Sequence, residues 1–267
     1  MRRQAIYQKL DAAILKAASQ PVTEERLLVR QRPAAKPVLQ MQWKQLLFLH
    51  WSWDAREIQA TLPAGLFADT FEGKAWLAIV PFIMRRVRPR GLPCLPWISN
   101  FLELNVRTYV HDGAGVPGVW FYSLVCNQPL AVELARRWYH LNYVHARMEA
   151  GVDRSGTCSY KARRRGFEEA SYRYGPSGAK AATEPGTLEF FLVERYVLFS
   201  AGRSRQLYAG RVHHSPYRAG PACIGEWSFV PAMADGFKSP GRPADHMMVA
   251  EDLEVQAWPI RAHSAGR

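Results

Sequence analysis

The residues best suited to chemistry in this chain lie between Asn100 and Arg147. From Phe101 to Tyr109 it reads FLELNVRTY. Side chains alternate between faces along a strand, so Phe101, Glu103, Asn105, Arg107 and Tyr109 share one face. That face carries a carboxylate, an amide, a guanidinium and a phenol. A guanidinium on an enclosed face binds a carboxylate or phosphate through two parallel hydrogen bonds. Arg107 is therefore the candidate ligand contact, with Asn105 and Tyr109 beside it. Glu103 is the candidate acid or base, and Tyr143 and His145 bring a hydroxyl and an imidazole that acid–base catalysis can use. Each has a plainer alternative. Arg107 could pair structurally with Glu103 or Glu194, and Tyr143 and His145 could serve packing alone.

Other chemistry finds less support. His50 beside Trp51 reads as a core histidine, and Glu226 as a surface turn residue or a second carboxylate at a barrel mouth. Adjacent His213 and His214 point oppositely on a strand and lack a third ligand at useful spacing, so no metal is expected. Cys94, Cys126, Cys158 and Cys223 are widely separated, with no C-x-x-C pair, and read as free thiols. Neither G-x-S-x-G nor a glycine-rich nucleotide loop occurs, and no cofactor is expected.

The elements that must position Glu103 and Arg107 follow from local pattern. His111-Asp-Gly-Ala-Gly115 is turn chemistry, and Gly118–Val125 reads as the antiparallel partner strand. A helix begins at Pro129, capped by Asn127 or Gln128, with Leu130, Leu134, Trp138 and Leu141 as its apolar stripe. A short segment then returns Tyr143 and His145 to the sheet. Upstream, strands are predicted over 45–51 and 75–82. They flank a short helix ending near Ala60 and a hairpin at Asp69–Lys74. A basic loop over Arg85–Pro96 follows. Downstream, strands are predicted over 157–163, 206–213 and 251–258, with a surface loop at 175–186. Residues 187–200 form two apolar segments split by Glu194-Arg195.

Residues 1–40 read as a basic extension, with a helix over Gln4–Ala18 and a proline-bearing linker over Gln31–Pro37. A single domain spans 41–260 and a tail 261–267. Hydrophobic content of 48%, with nine Trp, eleven Tyr and twelve Phe, favours a mainly β fold. No apolar run approaches the ~20 residues of a membrane span, and the start lacks a secretory pattern. The expectation is a cytoplasmic protein without a membrane partner. Net charge is +12, concentrated near the start, at Arg85–Arg90 and at Lys161–Arg165. Nucleic acid is disfavoured because no recognised binding motif accompanies these clusters. Homo-oligomerisation is left open.

Several ordered segments resemble the YqjF-like family of uncharacterised bacterial proteins (domain of unknown function 2071). They are FLHW at 48–51, LPAGL at 62–66, DTFEGKAWLAIVPF at 69–82, RPRGLP at 88–93, ELNVRTYV at 103–110, PGVWFYSL at 117–124, VERY at 193–196 and HHSPY at 213–217. The family is similar in fold to acetoacetate decarboxylase. The resemblance therefore implies a mainly β (α+β) architecture: an antiparallel β-barrel around a cavity, with a few flanking helices and Glu103 near a cavity-lining glutamate. The decarboxylase carries two adjacent lysines after the helix, one of which forms its Schiff base. Here the matching segment is Leu141-Asn-Tyr-Val-His145, without lysine, so Schiff-base decarboxylation is not expected. Three functions stay open. The first is binding of an acidic or polar metabolite in the cavity. The second is a lyase or hydrolase-type reaction using Glu103 with Tyr143 or His145. The third is binding of nucleic acid or another anionic surface through the arginine clusters.

Overall fold

A computed structural model describes residues 20–263 except 203 and 205; the helix expected over 4–18 lies outside the described residues. Past a short helix α1 (Thr23–Leu28), the chain enters β1 (Leu39–Lys44) and β2 (Leu47–Trp53). It turns through α2 (Ala55–Thr61), then forms β3 (Leu66–Ala68) and the long β4 (Ala75–Pro89). The central pair β5 (Phe101–Asp112) and β6 (Pro117–Cys126) leads into α3 (Pro129–Tyr139) and β7 (Tyr143–Val152). Next come β8 (Cys158–Arg164), β9 (Glu169–Pro176), the two-residue β10 (Ala181–Ala182), α4 (Leu188–Val193) and β11 (Val197–Ala201). The chain continues through β12 (Leu207–His213), β13 (Arg218–Glu226), α5 (Val230–Ala234), β14 (His246–Ala250), β15 (Leu253–Ala257) and β16 (Arg261–Ala262).

Two hydrogen-bonded circuits share β4, β5 and β6. One runs β4-β5-β6-β11-β12-β15-β1 and returns to β4. The other runs from β6 through β7, β8, β9, β13, β14 and β2 to β4. β4 and β5 are thus a wall between two compartments, buried on both faces. This explains the unbroken apolar run Ala75–Met84, since such a strand has no solvent side to mark with polar residues. Trp76, Ala78, Val80, Phe82 and Met84 face the first compartment, and Leu77 and Ile79 the second. The second compartment is packed with aromatic side chains, including Trp51, Tyr160, Tyr172 and Phe229. The Tyr160 hydroxyl there donates to the backbone carbonyls of Phe82 and Glu103 at 3.2 and 2.8 Å, tying the two wall strands together.

The expected antiparallel order holds except at β6, which pairs parallel with both β7 and β11. Gly118 permits the latter approach, because a Cβ there would meet the Val197 carbonyl at 2.8 Å. Other differences also have local causes. β4 runs on through Pro89 because β1, absent from the sequence expectation, pairs with it from Leu39 to Lys44. The basic stretch Arg85–Arg88 is therefore strand, with Arg86 at φ 53° beside a register shift. Only residues 90–100 form the loop. The first of the two apolar segments, Leu188–Val193, is a helix, and its first turn is capped by the Thr187 side chain, which accepts from Phe190 N–H. The return segment at Tyr143 is a ten-residue strand. In α3, Leu134 and Ala135 face the cavity described below, whereas Leu130 is exposed; the side chain of Trp138 lies outside the described residues.

Residues 20–38 lie against the β domain. The Gln20 amide donates to the Ala68 carbonyl and accepts from Thr70 N–H. Arg211 donates to the carbonyls of Val29 and Gln31, and Trp258 to that of Ala35. No helix among the described residues is long and apolar enough to cross a membrane.

Candidate functional site

The first compartment contains a cavity of about 480 Å³, within the ~300–1,000 Å³ range of small-molecule sites. Its walls are mostly apolar, with Met41, Phe48, Val80, Phe82, Phe121 and Leu124 among them. The polar groups on it are few and come chiefly from the wall strand. Glu103, Asn105 and Arg107 all line the cavity from β5, joined by Tyr143 from β7 and Arg195 from the end of α4.

Glu103 is buried, and its Oε2 accepts a 2.8 Å hydrogen bond from the Tyr143 hydroxyl. The local sequence accounts for that encounter. Gln128 caps α3 by accepting from Leu130 N–H, Pro129 occupies the first turn, and His140 ends the helix in the left-handed region at φ 47°. β7 then starts beside β6, with Leu124 opposite Tyr143. Burial pushes the Glu103 carboxyl from its ordinary 4.5 up to about 7, although the Tyr143 bond pulls the other way. Burial and the neighbouring carboxylate raise the Tyr143 phenol further above its usual range.

His145 does not join this pair. Past Tyr143 the same face of β7 turns to solvent, and His145, Arg147 and Glu149 are all exposed. Tyr109 is fully buried behind the cavity wall, and its hydroxyl meets His50 Nε2 at 2.8 Å and Arg107 Nη2 at 3.5 Å. It does not line the cavity. His50 is a core histidine, kept neutral by burial and by the nearby His246 and Arg107. Glu226 is exposed at the end of β13.

Arg107 forms neither of the ion pairs considered for it. Glu103 is bonded to Tyr143, and Glu194 is taken by Tyr217 N–H, Thr183 Oγ1, Tyr196 Oη and, at 3.5 Å, Arg30. The guanidinium donates only through Nη2, to the Leu192 carbonyl at 3.3 Å and to Tyr109, while Nε has no partner among the described residues. It lies 5.4 and 5.5 Å from the ring centres of Phe48 and Tyr109, contacts that favour a cation. The Oδ1 of Asn105 is also buried and unpartnered among the described residues.

Sequence reasoning missed a buried guanidinium that lines the cavity besides Arg107. Arg195 is buried, donates to Asp69 Oδ2 at 2.5 Å and to the Phe191 carbonyl, and leaves Nη2 without a partner among the described residues. Asp69, read as part of a hairpin, also receives both Nη atoms of Arg26 at 2.7 Å. Burial alone would raise the Asp69 carboxyl, but Arg195 and Arg26 together hold it below its ordinary value. Burial lowers Arg195 to about 10, still protonated at neutral pH. A signal was present in VERYVLF, since adjacent opposite charges inside an apolar run are seldom buried unless paired. One carboxylate shared by two guanidinium groups, with Arg107 nearby and without an ion-pair partner, leaves this end of the cavity short of negative charge among the described residues. Among the described residues, no three or more His, Cys, Asp or Glu side chains gather as a metal site.

The buried Glu103 has a pH signature. Its folded pKa lies above its unfolded value, so the folded state holds a proton that the unfolded state has released between pH 4.5 and about 7. Stability from this group is thus full below pH 4.5 and is lost as pH rises through about 7, a loss of about 3 kcal/mol in all. Glu103→Gln should abolish that decline and be the more stable protein at pH 8, as measured by thermal midpoints at pH 5 and 8. A wild type that instead gains stability over the variant as pH rises would mean an ionised, well-paired carboxylate.

This arrangement, two strand circuits sharing one wall with a cavity on that wall, is similar in fold to acetoacetate-decarboxylase-like proteins. An acetoacetate decarboxylase from Legionella pneumophila matches at TM-score 0.59, covering 92% of this chain and 97% of its own, at 12% identity. The enduracididine biosynthesis enzyme MppR complexed with pyruvate matches at TM-score 0.58, with 88% and 94% covered and 13% identity. An acetoacetate decarboxylase-like enzyme from Sphingomonas wittichii RW1 matches at 0.56, with 87% and 95% covered and 14% identity. At such identities the likeness is one of fold. The chain itself belongs to the DUF2071 family, described as an uncharacterized conserved protein, whose model matches residues 40–254. The uncharacterized protein YqjF of Bacillus subtilis (strain 168) is 36% identical over 183 residues, 67% of this chain and 74% of that one.

Proposed function

We propose that the cavity binds a small organic acid with an apolar body, its anionic group received by Arg107. The observation that carries this reading is a buried guanidinium on the cavity wall without a carboxylate partner among the described residues. Holding a lone charge out of water costs several kcal/mol, and a ligand anion would supply the missing partner. Arg195 Nη2 offers a further donor beside it, Asn105 Oδ1 can accept from a hydroxyl of the ligand, and the apolar walls suit the rest of its body. MppR, of like fold, is complexed with pyruvate, a small carboxylate. No lysine is among the described residues lining the cavity, so the proposal involves no Schiff base.

A second reading is favoured by the Glu103–Tyr143 pair. A carboxyl that titrates at about 7 is poised to exchange a proton with a bound substrate at neutral pH. This would make the protein a lyase or hydrolase-type enzyme rather than a carrier.

A thermal-shift screen of monocarboxylates, 2-oxo acids and organic phosphates tests the binding proposal. At ~100 times its dissociation constant a ligand adds about 2.7 kcal/mol, which for a chain of this size is roughly 5–11 °C. An acid should reach that shift, while the matching amide or alcohol should not. Equal shifts from neutral analogues, or none from any acid, would end the anion-binding reading. For the second reading, turnover of such a hit should vanish in Glu103→Gln while its binding persists.

A further inference from the structure

We infer that the mouth of the cavity docks on an anionic lipid bilayer. Leu92 and Leu95 line the cavity yet are 57% and 49% exposed, which places them on its rim. Trp97, in the same loop, is 71% exposed, and Leu130 at the start of α3 is 42% exposed. The two segments are joined, since the Gln128 side chain donates to the Trp97 carbonyl at 2.9 Å. Two large apolar side chains on the rim and two more on these joined segments thus stand in water together, where scattered single ones would need no explanation.

The flank of this rim is basic. Arg85, Arg86 and Arg90 are exposed and form no ion pair among the described residues, and Arg88 lines the cavity beside them. The whole segment 85–100 contains no acidic residue. Apolar tips ringed by arginine match the boundary of an anionic bilayer, where leucine and tryptophan enter the acyl edge and guanidinium groups meet headgroups. Nucleic acid would use the arginines and could stack on Trp97, but would leave the leucines exposed. A two-fold pairing of this face would bring the arginine stripes together. The absence of a spanning segment, from which the sequence predicts no membrane partner, does not bear on surface docking, which needs none. The inference also stands apart from what the cavity holds.

Co-sedimentation of the full chain with phosphatidylcholine vesicles, with and without phosphatidylglycerol, tests it. Binding should require phosphatidylglycerol and weaken steeply with added salt. Arg85→Ala and Arg86→Ala should each lower partitioning about fivefold. Leu92→Ser, Leu95→Ser and Trp97→Ser together should lower it further, with the thermal midpoint lowered by only a few degrees because about half or more of each side chain is exposed. Failure to bind phosphatidylglycerol vesicles at low salt, or binding indifferent to both sets of variants, would overturn the inference. Two other results would also overturn it by assigning the surface elsewhere. One is displacement from vesicles by duplex DNA with retained DNA binding in the triple serine variant. The other is a dimer in solution that this variant abolishes.

Discussion

Arg107→Met is expected to raise the thermal midpoint of the ligand-free protein while weakening acid binding roughly 30-fold to several thousand-fold. The two effects have one cause. In the ligand-free protein the guanidinium is buried, keeps two long hydrogen bonds and has no carboxylate partner among the described residues. Replacing it by an apolar side chain of similar length removes a desolvated charge, and such exchanges are often neutral or stabilising by about 1–4 kcal/mol. Once a ligand anion is bound, the same guanidinium is half of a buried charge pair, and its loss costs about 2–5 kcal/mol of affinity. Arg107→Lys should retain the charge but lose the two-point fork, giving binding between wild type and Met. Thermal melts of the free proteins with titration of one acid from the screen would decide. A midpoint lowered by several degrees in Arg107→Met, with affinity unchanged, would make Arg107 a structural residue. A residue that costs stability and supports binding is the pattern expected of a functional site.

Asp69→Ala should have the larger effect on stability, in the opposite direction. Its carboxylate is the shared partner of Arg195 and Arg26, and its side chain is fully buried. Removing it leaves Arg195 as an uncompensated charge, at about 3–5 kcal/mol, or a midpoint lower by roughly 6–20 °C. Arg26→Ala should cost less, because Arg26 is partly exposed at 12% and Arg195 would still hold the carboxylate. The pH dependence is opposite to that of Glu103. Asp69 has a lowered folded pKa, so its contribution is present above the unfolded value near 3.8 and is lost as pH falls through the folded value. Wild type and Asp69→Ala should therefore converge only in strong acid. Equal melting of the two at neutral pH would mean that the ion cluster is not formed. Because Arg26 lies in the segment before residue 40, where the family match begins, the same experiment shows how far that segment supports the cavity wall.

Much of the site can be read locally. The common face of Glu103, Asn105 and Arg107 follows from two-residue alternation, a property of the backbone that needs no partner strand. The start of α3 follows from Gln128 and Pro129, and the lack of lysine in Leu141–His145 is plain from the residues themselves. These rest on the chain within a few residues of each position.

The tertiary structure decided what those faces meet. Alternation assigns Tyr143 and His145 to one side of β7, but only the closure of the circuit through β6 and β7 leaves Tyr143 against Glu103 and His145 in water. The apolar run of β4 is compatible with several kinds of burial, and it became a partition because β1 and β2 both pair with it. Asp69 joins Arg26 and Arg195 across 43 and 126 residues of chain. The exposed side chains of Leu92, Leu95, Trp97 and Leu130 likewise come from a loop and a helix that the Gln128–Trp97 hydrogen bond joins. The sequence by itself thus determined which side chains share a strand face, because covalent geometry acts over two residues. Their partners depended on closing loops of forty residues and more, which only the packing of both compartments brings about.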